Sequence, residues 1–467
     1  MIPSDPLLVQ AERSSPDVAA VIMSDSTVTY SDLADRARRM ASSLLDIGVT
    51  ADDRVAIFGG IDLDTVVAIH ACWACGATPV PLDPTIGAER CTDRVERIDA
   101  DTVLMTSEAS PGLPGTTSIE ALHDPDRVKD VSASIIPDAS AVILFTSGTT
   151  GSPSAVPLTW VNLYASAISS ALRLGHDPAD RWAVCLQPYH MGGFAPLVRA
   201  AIYGTGIVLG SPSSQSISRA VDTHGATGIS LVPTLLERAI EDDVPLDQYE
   251  TVLVGGDRTP RALVRRAIER DISLYCTYGM TEAASQIATA TPADLQIEAQ
   301  TTGRPLHWTQ VSVDPTGEVD ELVVRGPTIS PGYLGETDSA RFTSDGGLRT
   351  GDIGYLDDAG RLFVTGRVAD RIVTGGVTVD ARSIATMIER HAAVDTAVVI
   401  GIPDDTWGEC VGAVLKTDGT SPAEILHDLD DTLSSAERPR TVISVNQVPR
   451  TESGTVDRRA VRDLLED

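Results

Sequence analysis

The feature that most restricts how this chain can fold is an alternation. Short β-branched runs, each closed by turn residues, recur between amphipathic stretches through most of the 467 residues. RVAIFGG, AVILFTS, GIVLGSP, GISLVPT, TVLVGGD and SLYCTYGM read as strands, while Ser31 to Ile47 and Arg261 to Arg270 carry apolar residues at helical spacing. Strands that alternate with helices pair mostly in parallel and are buried on both faces. The fold class is therefore α/β, built on packed α/β sheets. From Asp314 the texture changes to shorter alternating strands, EVDELVVRGP and GRLFVTGR, which predict a small antiparallel β subdomain. After Arg367 a stretch of roughly a hundred residues with mixed helix and strand patterns is large enough for a separate α+β domain.

Charge excludes one class of partner. The formal net charge is -30, and Lys129 and Lys416 are the only lysines. Nucleic acid would be repelled by such a surface. The acid is scattered rather than gathered in a tail, which suits a salt-accumulating cytosol, where screening over about 3 Å at molar salt tolerates the self-repulsion. No apolar run reaches the roughly eighteen residues of a membrane span, and MIPSDPLLVQAERSSPD lacks the order of a signal peptide. A soluble cytoplasmic protein without membrane insertion is expected. The six cysteines are too scattered for a disulfide framework. Cys72 and Cys75 form a CxxC inside an apolar helical run ending at Gly76, with no second pair for zinc, so buried thiols are expected.

The chemistry concentrates in three segments. FTSGTTGSP, directly after the strand AVIL, places Thr146, Ser147, Gly148, Thr149, Thr150 and Gly151 in a row, offering hydroxyls and close backbone N–H groups suited to phosphate oxygens. YGMTEAASQ, from Tyr278 to Gln286, puts an aromatic ring, a hydroxyl and a carboxylate after a strand, and Arg349 to Gly376 supplies Asp352 and Arg367. In this order the three segments resemble the signature loops of the adenylate-forming superfamily, which includes acyl-CoA synthetases, peptide-synthetase adenylation domains and luciferases. The resemblance spans essentially the whole chain. It implies an N-terminal AMP-binding domain over residues 1–368, a small mobile α+β lid over residues 369–467, and two half-reactions. A carboxylate is first joined to ATP as an acyl adenylate, and the acyl group then passes to the thiol of CoA.

The resemblance also implies roles. Thr146 to Gly151 would hold the β- and γ-phosphates, and Glu282 with Thr281 would take Mg²⁺ and the α-phosphate, Thr146 also lying near the metal. Gly255, Gly256 and Asp257 would line the adenine, Tyr278 would stack on it, and Asp352 would accept the ribose hydroxyls with Arg367 nearby. Three stretches, QPYHMGGFAPLVRA, GISLVPTLLERAI and YGMTEAASQIAT, are most similar to the o-succinylbenzoate:CoA ligases of menaquinone biosynthesis. Other aryl or short-chain acyl-CoA ligases carry related words. His190 would gate the acyl pocket, with Gly279 and Met280 lining it. Ser285 and Gln286 could donate to the substrate, and Arg199 could grip a second carboxylate, a charge for which a fatty-acid pocket has no use. For Arg199 the other reading is a solvent-exposed helical arginine.

Two positions depart from the pattern. Ser154 stands where the phosphate loop normally continues with a lysine. Thr455, in PRTESGTVDRR, stands where the resemblance places the lysine that steadies the acyl carboxylate and α-phosphate. Losing a preorganised charge can cost several powers of ten in rate. Arg450, Arg458 or Arg459 could substitute, adenylation could be slow, or the chain could bind nucleotide without turnover.

Overall fold

The computed structural model describes residues 2–106, 113, 115–122, 131, 133–146, 153–313, 321–336, 340–404, 406–429, 432–449 and 456–466. The chain divides into two compact units, one of residues 1–312, 323–349 and 356–363, the other of residues 313–322, 350–355 and 364–467.

The first unit holds a nine-stranded sheet whose centre is parallel: Leu274–Met280, Thr251–Val254, Gly228–Leu231, Arg181–Val184, Gly206–Leu209 and Ala19–Ile22 lie side by side in that order. Thr27–Thr29 pairs antiparallel at one edge, and Ser285–Ala290 followed by Arg304–Pro305 does so at the other. A four-stranded parallel sheet is built on Arg54–Phe58, flanked by Thr78–Leu82 and Thr102–Met105. The inner strands Thr251–Val254, Gly228–Leu231, Arg54–Phe58 and Thr78–Leu82 are buried along nearly their whole length, as parallel strands covered by helices must be.

Helix boundaries follow local chemistry. Tyr30–Asp46 starts on a capping box in which the Thr29 hydroxyl and the Asp32 carboxylate satisfy each other's backbone N–H groups. Leu63–Cys75 starts on Asp62 and stops at Gly76, whose φ of +83° only glycine adopts at little cost. That helix is buried from Thr65 through Cys75, so Cys72 and Cys75 are free core thiols, and burial pushes both up. Among the described residues no helix is long and apolar enough to cross a membrane.

One strand departs from the parallel expectation. Ser140–Thr146 does not join either parallel sheet; it forms an antiparallel pair with Ser154–Thr159, Thr146 facing Ser154. In sequence the Ser/Thr/Gly segment lies between these two paired strands. Both strands carry β-branched and apolar residues, and the second follows too closely for a helical crossover, which a parallel partner would require.

In the second unit Val377–Asp380, Arg371–Thr374, Gly408–Thr417 and Val394–Asp404 form a sheet in that order, with Thr441–Ser444 added in parallel to Gly408–Thr417. Alternation along Val394–Asp404 feeds two cores. Val399 packs with Ile384, Ile388 and Ile425, while Val398 and Ile400 pack with Val461 and Leu465 of the helix Arg458–Glu466.

Candidate active site

The carboxyl ends of the parallel strands Thr251–Val254 and Leu274–Met280 carry Gly255 to Asp257 and Tyr278 to Glu282, the edge at which open α/β sheets take ligands. Thr251–Val254 runs out into Gly255, Gly256 and Asp257. Gly255 lies so close to the neighbouring strand that a Cβ would sit 2.6 Å from the Thr277 methyl, and Gly256 has a φ of +86°. The strand Leu274–Met280 ends in a single turn, Thr281–Ala283, and the chain doubles back as Ser285–Ala290. The reversal is tight. Ala284 and Ser285 hold φ of +51° and +110°, values that non-glycine residues adopt only under constraint, and a Cβ on Gly279 would stand 1.8 Å from the Ser285 carbonyl oxygen. Tyr278, Gly279, Met280 and Thr281 are half-buried along this reversal, and Glu282 is buried.

The Glu282 carboxylate is held by one oxygen. Its Oε1 accepts from the Tyr333 hydroxyl at 2.8 Å and from Arg341 Nη1 at 3.1 Å, and Arg341 Nη1 also donates to the Tyr333 oxygen at 2.8 Å. Burial, and then the Glu282 charge, raise the Tyr333 phenol, which stays protonated as a donor. Among the described residues no cluster of three or more His, Cys, Asp or Glu side chains could hold a metal. A lone buried carboxylate fits Mg²⁺, which keeps waters and takes one or two carboxylates plus substrate phosphates, and does not fit an all-protein cage.

Arg199 sits on the helix Met191–Tyr203 and is buried, 8% exposed. Its Nη2 donates to Ser285 Oγ at 3.2 Å and to Gln286 Oε1 at 3.0 Å. The Gln286 amide is fixed in turn by its bond to Thr289 Oγ1 at 2.9 Å. The Arg199 Nε is buried without a partner, and among the described residues no carboxylate pairs with this guanidinium. Burial lowers its affinity for the proton, yet arginine keeps its charge in proteins. The structure therefore brings Arg199 together with the neighbouring Ser285 and Gln286, which lie far from it in sequence, and it excludes the solvent-exposed reading. His190 caps the same helix without a side-chain bond, its ring edge-on to Tyr189 at 4.9 Å. Burial lowers its pKa, Asp83 opposing and Arg94 reinforcing the shift, so the imidazole is neutral near pH 7.

Of the phosphate-loop residues Thr146 is described, its Oγ1 3.5 Å from the Ser154 carbonyl oxygen across the hairpin neck. Ser147, Gly148, Thr149, Thr150 and Gly151 lie outside the described residues, as do Thr455 and Arg450. In the second unit buried Asp352 accepts from Arg367 Nε at 3.0 Å. Arg458 forms an ion pair with Asp370, a buried carboxylate raised chiefly by desolvation, and both Arg458 and Arg459 are exposed.

Sequence reasoning missed Tyr333 and Arg341. Neither stands in a segment that looks chemical, and nothing local signals a contact reaching back to Glu282.

Comparison with known proteins places the chain in a family. The AMP-binding enzyme pattern matches residues 8–334, and the AMP-binding enzyme C-terminal domain matches residues 383–455. The 2-succinylbenzoate–CoA ligase of Bacillus cereus is 31% identical over 476 aligned positions, covering 98% of both chains. The o-succinylbenzoate coenzyme A synthetase of Bacillus subtilis in complex with its acyl-adenylate intermediate superposes with a TM-score of 0.92 at 29% identity, covering 100% of this chain and 99% of that one. The same enzyme in complex with ATP and magnesium superposes with a TM-score of 0.91 at 29% identity and 100% coverage of both. With matches of this extent at both ends, the chain belongs to the AMP-binding enzyme family.

Proposed function

We propose that the chain is an ATP-dependent acid–thiol ligase that converts 2-succinylbenzoate to 2-succinylbenzoyl-CoA in menaquinone biosynthesis. The family membership and the full-length similarity to ligases of that substrate support the reaction. The observation that carries the substrate choice is Arg199: a buried guanidinium with two neutral partners and no carboxylate among the described residues is a costly arrangement unless a ligand supplies the anion. 2-Succinylbenzoate has two carboxylates, one to react and one to be held.

The reaction runs in two displacements. One substrate carboxylate attacks the α-phosphorus of ATP and pyrophosphate leaves, giving the acyl adenylate. The CoA thiol then attacks the acyl carbon and AMP departs, a far better leaving group than carboxylate oxygen. Glu282, with Thr281 and Thr146, would hold Mg²⁺, which when bound neutralises charge on the phosphates. Gly255, Gly256, Asp257 and Tyr278 form the adenine site, Asp352 and Arg367 the ribose site, and Thr146 to Gly151 the phosphate site. His190, Gly279 and Met280 bound the acyl pocket, where Ser285 and Gln286 orient Arg199. Residues 369–467 act as the lid that changes pose between the two displacements, Ala369 lying at the hinge. The acidic surface fits a cytoplasmic enzyme working at high salt.

A second reading rests on Thr455. With no lysine at this position and Arg458 paired to Asp370, the chain would bind nucleotide without forming adenylate. Pyrophosphate release with 2-succinylbenzoate separates the two. Activity in the natural chain supports the ligase; activity appearing only in Thr455→Lys supports the nucleotide-binding reading.

A further inference from the structure

Residues 327–336, together with Arg341, join two parts of the site in the first unit. Asn162 Nδ2 donates to the carbonyls of Pro327 at 2.8 Å and Ile329 at 2.9 Å, anchoring their start. Ser330 then bonds in two directions: its N–H donates to the Glu282 carbonyl at 2.8 Å, and its hydroxyl donates to the carbonyl of Pro157, on the second strand of the phosphate hairpin, at 2.7 Å. The Leu334 N–H donates to the Ala155 carbonyl of that strand at 2.9 Å. Between these two bonds Tyr333 turns inward to the Glu282 carboxylate, 8% exposed and edge-on to Phe342 at 5.6 Å. Arg341 closes the arrangement, its Nε donating to the Arg349 carbonyl at 3.2 Å while Nη1 reaches both Glu282 Oε1 and Tyr333 Oη.

From this geometry we propose that Tyr333 and Arg341 are positioning residues for the metal carboxylate, fixing Glu282 by Oε1 on a strut tied to the phosphate hairpin, so that its orientation is set before a nucleotide-bound divalent cation arrives. The inference rests on the reading of Glu282 as the Mg²⁺ carboxylate. A carboxylate on a flexible stem loses rotamer freedom when it takes a ligand, and two donors on one oxygen remove that cost in advance. Both donors fall on Oε1, and among the described residues none falls on Oε2. Arginine and tyrosine suit the task because each holds its hydrogen-bonding atom on a planar group and keeps its protonation state near neutrality. The same strut couples the carboxylate to the strand Ser154–Thr159 through Ser330 and Leu334.

The test needs no turnover. Mn²⁺ binding to the full chain, saturated with α,β-methylene-ATP, is followed by the loss of the free-ion electron paramagnetic resonance signal. Four proteins are compared: the natural chain, Tyr333→Phe, Arg341→Lys and Glu282→Gln. Tyr333→Phe keeps the ring and Arg341→Lys keeps the charge, so a weakening in either reports lost orientation. The expected result is Mn²⁺ affinity lowered about tenfold in each, the scale at which outer-shell partners of metal ligands act, and lowered further in Glu282→Gln. Thermal midpoints measured without nucleotide separate this from a packing role, which would lower the midpoint and leave Mn²⁺ affinity unchanged. Natural-like Mn²⁺ affinity in both Tyr333→Phe and Arg341→Lys, with a loss in Glu282→Gln, would overturn the proposal while the metal reading stands. Unchanged affinity in Glu282→Gln would overturn both.

Discussion

At the scale of single residues, two buried groups carry opposite charge states and separate consequences. Arg199 is charged, buried and without a carboxylate partner among the described residues, an arrangement that costs stability unless a ligand supplies the anion. Arg199→Met is expected to raise the KM for 2-succinylbenzoate by roughly a hundredfold, the scale of a lost charge-assisted hydrogen bond, and to leave the KM for ATP within about twofold. Its thermal midpoint should stay level or rise, as removal of an uncompensated charge predicts; a lower midpoint with an unchanged KM would mark Arg199 as structural. His70 is the neutral counterpart. It is buried in the helix Leu63–Cys75 against Trp73, ring centroids 4.9 Å apart, and burial lowers its pKa to about 3. Unfolded, it titrates near 6.5, so between the two values the unfolded chain binds a proton that the folded chain refuses. Its contribution is fully present above about pH 6.5 and is lost as pH falls, by about 1.4 kcal/mol per unit. Urea titrations between pH 6.5 and 4.5 should give the natural chain a steeper loss than His70→Phe, which keeps a ring and cannot titrate; parallel losses would show that His70 does not resist protonation.

At the scale of elements, the reversal after Leu274–Met280 is where backbone strain and chemistry coincide. Gly279 is required there, because a Cβ would meet the Ser285 carbonyl oxygen at 1.8 Å. Gly279→Ala is expected to destabilise the chain by about 3 kcal/mol or more, the scale of an overpacked site with displaced backbone, and to abolish activity even at temperatures where the chain stays folded. Ala284→Gly, at φ +51°, relieves strain and should gain up to about 1 kcal/mol in chemical denaturation, the reverse sign at a neighbouring position. Much of this region was legible in the sequence. The strand runs ended on Gly255 to Asp257 and on Tyr278 to Glu282 because β-branched runs stop at turn residues, and Gly76 closed its helix for the same local reason. The hairpin around Thr146 and Ser154 was not legible as antiparallel, since an apolar run is the same in either kind of sheet. Nor were the partners of Glu282, whose bonds to Tyr333 and Arg341 cross 51 and 59 residues of sequence. Local patterns specify where a chain turns, whereas contacts of that span depend on how separate elements pack.

At the scale of the whole molecule, charge dominates. A net charge of -30 on 467 residues destabilises the compact state by self-repulsion that salt screens. The thermal midpoint is expected to rise steadily as KCl increases from about 0.1 M to 2 M, where the screening length falls from about 10 Å to below 3 Å. A flat or falling midpoint would contradict the high-salt reading without touching the chemistry. As proposed, this family member forms a thioester and chooses a dicarboxylate through Arg199. The most direct measurement is ATP- and CoA-dependent thioester formation in molar KCl, with 2-succinylbenzoate set against benzoate, butyrate and octanoate and the products identified by mass. The account predicts 2-succinylbenzoyl-CoA with AMP and pyrophosphate, and little product from the monocarboxylates. Equal or better turnover of a monocarboxylate would contradict the substrate choice, and nucleotide binding without adenylate or thioester from any of the acids would contradict the ligase itself.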